Sequence, residues 1–172
     1  GAIERFRYRA GARATFQYSV TYSGRETWLT GTLWPGAKAR KTFERSDVHD
    51  GLGYDPGIGM LLEKFPRDAK LPYLSRFVDE AGGIVSEALQ LDVQVDRGDI
   101  KLVRYRPHVG CVFKLRATVD DSPRNLYVKF YADEDIDTVC KTLSAAPSGK
   151  CYNLLRPLGM SRERRFIVWP EL

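Results

Sequence analysis

The sequence predicts an α+β protein made of two small antiparallel β-sheet units in tandem, each with a helix against one face. Three observations predict it. Segments such as ATFQYSVTY (14–22) and CVFKLRATV (111–119) alternate in polarity with a period of two, as half-buried strands do. A helical stripe of Ile136, Val139, Cys140 and Leu143 follows the third such segment of the second half. And the chain nearly repeats itself: FRYRAGARATF (6–16) returns 97 positions later as VRYRPHVGCVF (103–113).

The second half is the plainer. LVRYR (102–106) alternates apolar and basic residues. CVFKLRATV puts Cys111, Phe113, Leu115, Ala117 and Val119 on one face and Val112, Lys114, Arg116 and Thr118 on the other. DDSPR (120–124) has turn composition, and NLYVKFY (125–131) alternates again, with Tyr127, Lys129 and Tyr131 sharing a face. The helix runs over 132–146, with Asp133, Glu134 and Asp135 in its first turn, where acids favour the N-terminus. YNLLRPLGM (152–160) reads as a strand, SRERR (161–165) as a polar turn and FIVWPEL (166–172) as the last strand.

The first half begins the same way. ATFQYSVTY and TWLTGTLW (27–34) are strands, and AKARKTFERS (37–46) is a basic helix. At the offset of 97, residues 6–22 and 103–119 agree at Arg7, Tyr8, Arg9, Phe16 and Thr21. Between the halves, HDGLGYDPGIG (49–59) reads as a glycine-rich loop and GMLLEKFP (59–66) as a strand. LPYLSRFVDEAGG (71–83) and IVSEALQL (84–91) read as two short helices. The expected domains are 1–96 and 97–172.

Composition narrows the class. With 43% hydrophobic, 28% charged and 12% aromatic residues the chain is globular rather than disordered. No apolar run approaches a membrane span, and the opening GAIERFRYR carries charge where a signal peptide needs an apolar core. Three cysteines without C-x-x-C spacing argue against a disulfide framework and for a reducing cytoplasm. The net charge of +5 is compatible with phosphate ligands. Its even spread, and the absence of RNP-type signatures, do not call for nucleic acid.

Strand, strand, strand with a central lysine, helix, strand, strand is also the order of a kinase small lobe. VRYRPHVGCVFKL…LYVKFYADEDI…NLLRPLGMSRERRFIVWPEL resembles the N-lobe of kinase-like small-molecule phosphotransferases. That group includes aminoglycoside phosphotransferases, choline kinases and maltokinase-like sugar kinases. The resemblance covers about residues 60–172. It implies that Lys129 contacts the nucleotide phosphates, a task suited to a flexible point charge. It further implies that Arg106, Pro107, His108, Val109 and Gly110 form the loop over the phosphates. Val168 to Leu172, with Trp169 and Glu171, would be the hinge that holds adenine. ATP and Mg²⁺ are the implied cofactors, a small hydroxylated molecule the implied substrate, and residues 1–96 a cap.

Three departures qualify the likeness. The loop at 107–110 has a single glycine. The helix carries acids only in its opening turns, so Glu134 is the first choice of partner for Lys129. No H-x-D motif exists, since Gly51 and Gly110 stand two places after His49 and His108. The chain therefore supplies no catalytic residue of its own, and is expected to be the nucleotide-binding fragment of a longer enzyme. The alternative is a non-catalytic β-rich binding module that uses Tyr18, Tyr22, Trp28 and Trp34. The group SDVHD (46–50) lacks the further ligands a metal site needs, so no metal site is expected.

Overall fold

The computed structural model describes residues 2–22, 24–47, 50–132, 135–145 and 156–171. The fold is α+β, and the described residues form three α-helices and two antiparallel sheets of five and six strands. The chain divides into compact units at 1–68 and 69–172. The expected boundary at 96/97 therefore moves upstream, because residues 69–96 form part of the second unit.

The first unit holds strands β1 (Ala2–Arg9), β2 (Arg13–Tyr22) and β3 (Arg25–Leu33), helix α1 (Lys38–Glu44), and strands β4 (Leu52–Asp55) and β5 (Met60–Lys64). Its sheet runs β1-β2-β3-β5-β4. The stretch 49–59, read as a loop, contains β4. Glycine at 51 and 53 hides the alternation there, and the strand forms through its pairing with β5 and the stacking of Tyr54 on Phe43 of α1.

The second unit begins with α2 (Leu74–Leu89) and β6 (Val93–Gln94). It continues with β7 (Ile100–Arg106), β8 (Gly110–Val119), β9 (Ser122–Tyr131), α3 (Asp135–Ala145), β10 (Gly159–Ser161) and β11 (Phe166–Pro170). Its sheet runs β10-β11-β9-β8-β6, with β7 also on β8. The two short helices expected over 71–91 are one, bent at Glu80 (φ −125°, ψ 27°) just before the Gly82–Gly83 pair. The turn expected over 120–124 is confined to Asp120 and Asp121, and β9 starts at Ser122. Of the strand expected over 152–160, residues 159–160 are strand and 156–158 are not; 152–155 lie outside the described residues.

Helix α2 belongs to this unit because its apolar stripe is the core. Phe77 is fully buried, with ring centroids 5.1 Å from Phe113, 4.9 Å from Phe130 and 6.4 Å from Phe166. Ser86 Oγ accepts the Val93 N–H at 2.9 Å, tying β6 to the helix. Gly159 lets β10 pass close by, since a Cβ there would lie 2.5 Å from the Ala88 carbonyl oxygen.

The two units repeat one topology. Each has a three-stranded meander, a helix and a hairpin whose second strand returns beside the third. The register repeats as well. Arg9↔Arg13 corresponds to Arg106↔Gly110, and Tyr22↔Arg25 to Val119↔Ser122, both at the offset of 97 seen in the sequence. The pairing of Leu29–Leu33 with Lys64–Met60 is that of Leu126–Phe130 with Pro170–Phe166, so in the final hairpin the offset is 106. Left-handed turn residues coincide too: Gly11 with His108, Gly24 with Asp121, and Gly59 with Arg165. Both first strands carry a one-residue bulge, at Glu4 and at Val103. The weak repeat of the sequence is thus a repeat of structure, with nine more residues before the last hairpin of the second copy.

Phe77→Ala is expected to destabilise the second unit by about 3–5 kcal/mol, the cost of a large cavity at an aromatic centre. Urea unfolding followed by Trp169 fluorescence measures it; a loss below about 1 kcal/mol would show that Phe77 is not the centre of this core.

Candidate functional site

Burying one face of the second sheet against α2 fixes what the other face carries. Leu126, Val128 and Phe130 point to the core and are at most 2% exposed. Period two then sends Tyr127, Lys129 and Tyr131 to the opposite face, as their alternation predicts. Along that face, cross-strand register sets Lys114 beside Tyr127 and Trp169, and Val112 beside Lys129 and Ile167.

Helix α3 packs on the same face. Ile136 and Cys140 bury against Tyr131 and Ile167, with Val139, Leu143 and Trp169 partly buried around them. The sheet therefore carries an apolar patch under α3 and, beside it, a strip of cations and aromatic rings. Lys129 is exposed, and its Nζ lies 4.5 Å from the Tyr131 ring centroid. Lys114 Nζ lies 5.7 Å from the Tyr127 ring centroid.

The loop predicted over the phosphates is a tight turn. Val109 N–H donates to the Arg106 carbonyl at 3.0 Å, and Ala132 N–H donates to the Val109 carbonyl at 3.2 Å. The turn is thus fixed to the end of β9, one residue beyond Tyr131. His108 sits in the left-handed region at φ 59°, where glycine is the usual occupant. Pro107, His108 and Val109 are half-buried and Arg106 is exposed. Gly110 has a structural role of its own, because a Cβ there would lie 2.8 Å from the Phe130 carbonyl oxygen. The one glycine of this loop is needed by the sheet.

At the other end of the strip, Glu171 accepts from Lys114 Nζ at 2.5 Å and from Asn125 Nδ2 at 2.6 Å. These bonds hold the Glu171 carboxyl below the usual carboxylate range, and the bond to Glu171 raises the Lys114 ammonium. The backbone joins in, with Glu171 N–H donating to the Asn125 carbonyl at 3.1 Å.

The structure thus gathers Lys129, Trp169 and Glu171 along one face, and sets the turn 106–110 at the β9 end of it. Glu134 lies outside the described residues. Of the remaining acids in α3, Asp137 is exposed. Sequence reasoning missed Lys114, Asn125 and Tyr127. The signal lay in the alternation of β8 and β9, but only the register shows which residues stand side by side.

Two cavities of about 500 Å³ lie in the second unit, one lined by Gln94, Asp99, Arg116, Arg124 and Asn125 and the other by Leu91, Leu158, Pro170, Asn125 and Glu171, so they reach the clamp at the Glu171 end of the strip. Neither includes Lys129 or the 106–110 turn. Among the described residues no group of three His, Cys, Asp or Glu side chains is placed to hold a metal ion, and no helix is long and apolar enough to cross a membrane. No family model matches the chain, and no curated protein or solved structure matches it.

The pair of Glu171 and Lys114 sets a pH window. A lowered carboxyl stabilises the fold above its ordinary pKa of about 4.3 and loses that contribution as pH falls through the lowered value. A raised lysine contributes below about 10.4 and loses its contribution as pH rises through the raised value. On acidification from about pH 5 to about pH 3, the melting temperature should fall further for the parent than for Glu171→Gln. Parallel acid limbs in scanning calorimetry would show that the clamp adds nothing.

Proposed function

We propose that the second unit is the nucleotide-holding lobe of a cytoplasmic, ATP-dependent phosphotransferase acting on a small hydroxylated molecule such as a sugar or an aminoglycoside. One observation carries the reading: Lys129 stands on the third strand of a meander-helix-hairpin unit, on the face shared with the helix and two register positions from the turn between the first two strands. The donor set suits the ligand. Lys129 offers positive charge for phosphates, and Tyr127, Tyr131 and Trp169 offer flat apolar surface for a base.

Each group then has a task. Lys129 neutralises phosphate oxygens and holds them in line for transfer. The turn 106–110 covers them, and β11 positions the base. Mg²⁺, when bound, would neutralise charge between the phosphate groups. Its ligands and the base that takes the substrate proton are assigned to a further lobe, since these 172 residues contain no H-x-D motif. A second reading, a non-catalytic binding module, draws on the first unit, where Ile3, Phe6 and Tyr8 are 61%, 57% and 65% exposed.

Titration of the chain with MgATP tests the first reading. The parent is expected to bind saturably, and Lys129→Ala to bind at least about tenfold more weakly, as loss of a charge-assisted phosphate contact implies. No binding, or equal binding by the two proteins, overturns it.

A further inference from the structure

We propose that the first unit carries an anion site of its own, in which Arg7, Arg9 and Arg13 take the phosphate groups of a small phosphorylated molecule. Arg7 and Arg9 lie two residues apart on β1, and Arg13 stands directly across from Arg9 on β2, so all three share one face. Together they alone line a small cavity of about 40 Å³. Like charges directly opposite each other on a sheet oppose pairing. Yet among the described residues none of the three has an ion pair or a hydrogen bond that would compensate. The nearby acid on this strand, Glu4, is engaged by Ser19 Oγ at 2.8 Å. Three rigid guanidinium forks without counter-ions form a ready site for a multiply charged oxyanion.

Polar side chains continue along the same face. Thr15 pairs with Arg7 across the strands and Gln17 with Arg5. Gln17 is 2% exposed and its Nε2 has no acceptor; Thr30 and Thr32 follow on β3 with buried hydroxyls that also lack partners. Unpartnered buried donors cost stability unless something accepts from them.

The duplication shows what this face corresponds to. Thr32 occupies the place of Lys129, and Arg13 the place of Gly110. Arg104 and Arg106 stand at the places of Arg7 and Arg9, so what sets the first copy apart is Arg13, which completes a cluster of three arginines at its first hairpin. The inference rests on the register and on the arginines, and stands whether or not Lys129 binds a nucleotide.

A small ligand fits better than a nucleic acid. The aromatic residues of the same hairpin, Phe6, Tyr8 and Phe16, lie on the opposite face, where Phe6 and Phe16 pack 4.9 Å apart. A single strand binds through phosphates and stacked bases together, and no strand can reach both faces of one sheet at once.

Calorimetric titration of the whole chain with inorganic pyrophosphate, at about 50 mM salt to limit screening, tests the site. Saturable binding is expected. In a Lys129→Ala background, which removes the phosphate contact proposed for the second unit, the double variant Arg9→Gln with Arg13→Gln should weaken it at least about tenfold. ADP in place of pyrophosphate tells a free phosphate ligand from a nucleotide: tighter ADP binding that the double variant abolishes assigns the site to nucleotides. The melting temperature of the double variant shows whether it is folded, and loss of the pyrophosphate-induced rise in that temperature is the second readout. Undiminished binding by the folded double variant overturns the proposal. So does the absence of saturable binding, or a preference for single-stranded oligonucleotides that grows with their length.

Discussion

Phe77 decides which way the second sheet faces. Its ring stands among Phe113, Phe130 and Phe166, one from each of three strands, and so commits one face of each strand to α2. Once that face is buried, period two leaves no freedom for the rest. Lys114, Lys129, Tyr127 and Trp169 must lie on the other side, and α3 must share that side because Tyr131 and Ile167 are the apolar residues available there. The cationic strip is therefore a by-product of core packing before it is anything else. A one-residue slip of β9 would bury Lys129 and expose Val128.

The two copies show how little of a sequence a register requires. They share the offset of 97 through three strands and then the offset of 106 through the final hairpin, although few of the paired residues agree in type. What persists is the pairing register and the turn positions at which the backbone enters the left-handed region. The bulges differ in place, since Glu4 corresponds to Lys101 and not to Val103, and the first copy buries Thr15, Gln17, Thr30 and Thr32 on the face that in the second carries Val112, Lys114, Tyr127 and Lys129. What differs is chemistry. The second copy buries Val128 and Phe130 where the first has Gly31 and Leu33, and it has Lys129 where the first has Thr32.

Most strands were legible because alternation is local. The face assignments of Tyr127, Lys129 and Tyr131, and the α3 stripe from Ile136 to Leu143, followed from spacing alone. Interactions distant in sequence were not legible. Nothing in LSRFVDE announces that Phe77 is the core of a sheet made far downstream, so the boundary was drawn on the wrong side of α2. Strand β4 has glycine where alternation would show. The clamp on Glu171 needs Lys114 of β8, Asn125 of β9 and the residue just past β11, and only pairing brings them together. The arginines at 7, 9 and 13 were visible as residues, but their shared face depends on the exact turn between β1 and β2. Glu134, chosen as partner to Lys129, lies outside the described residues.

The shared turn positions have a further meaning. At three matched sites the first copy has glycine, at 11, 24 and 59, and the second has His108, Asp121 and Arg165. A side chain in the left-handed region costs on the order of 1 kcal/mol relative to glycine. The second copy therefore holds its hairpins under tension at every matched turn, and the first does not. Only a sheet with energy in reserve tolerates this, and the aromatic centre under α2 is such a reserve. The second copy thus carries charge and hydrogen-bonding groups at the very turns where the first has glycine, and the packing around Phe77 offsets what they cost.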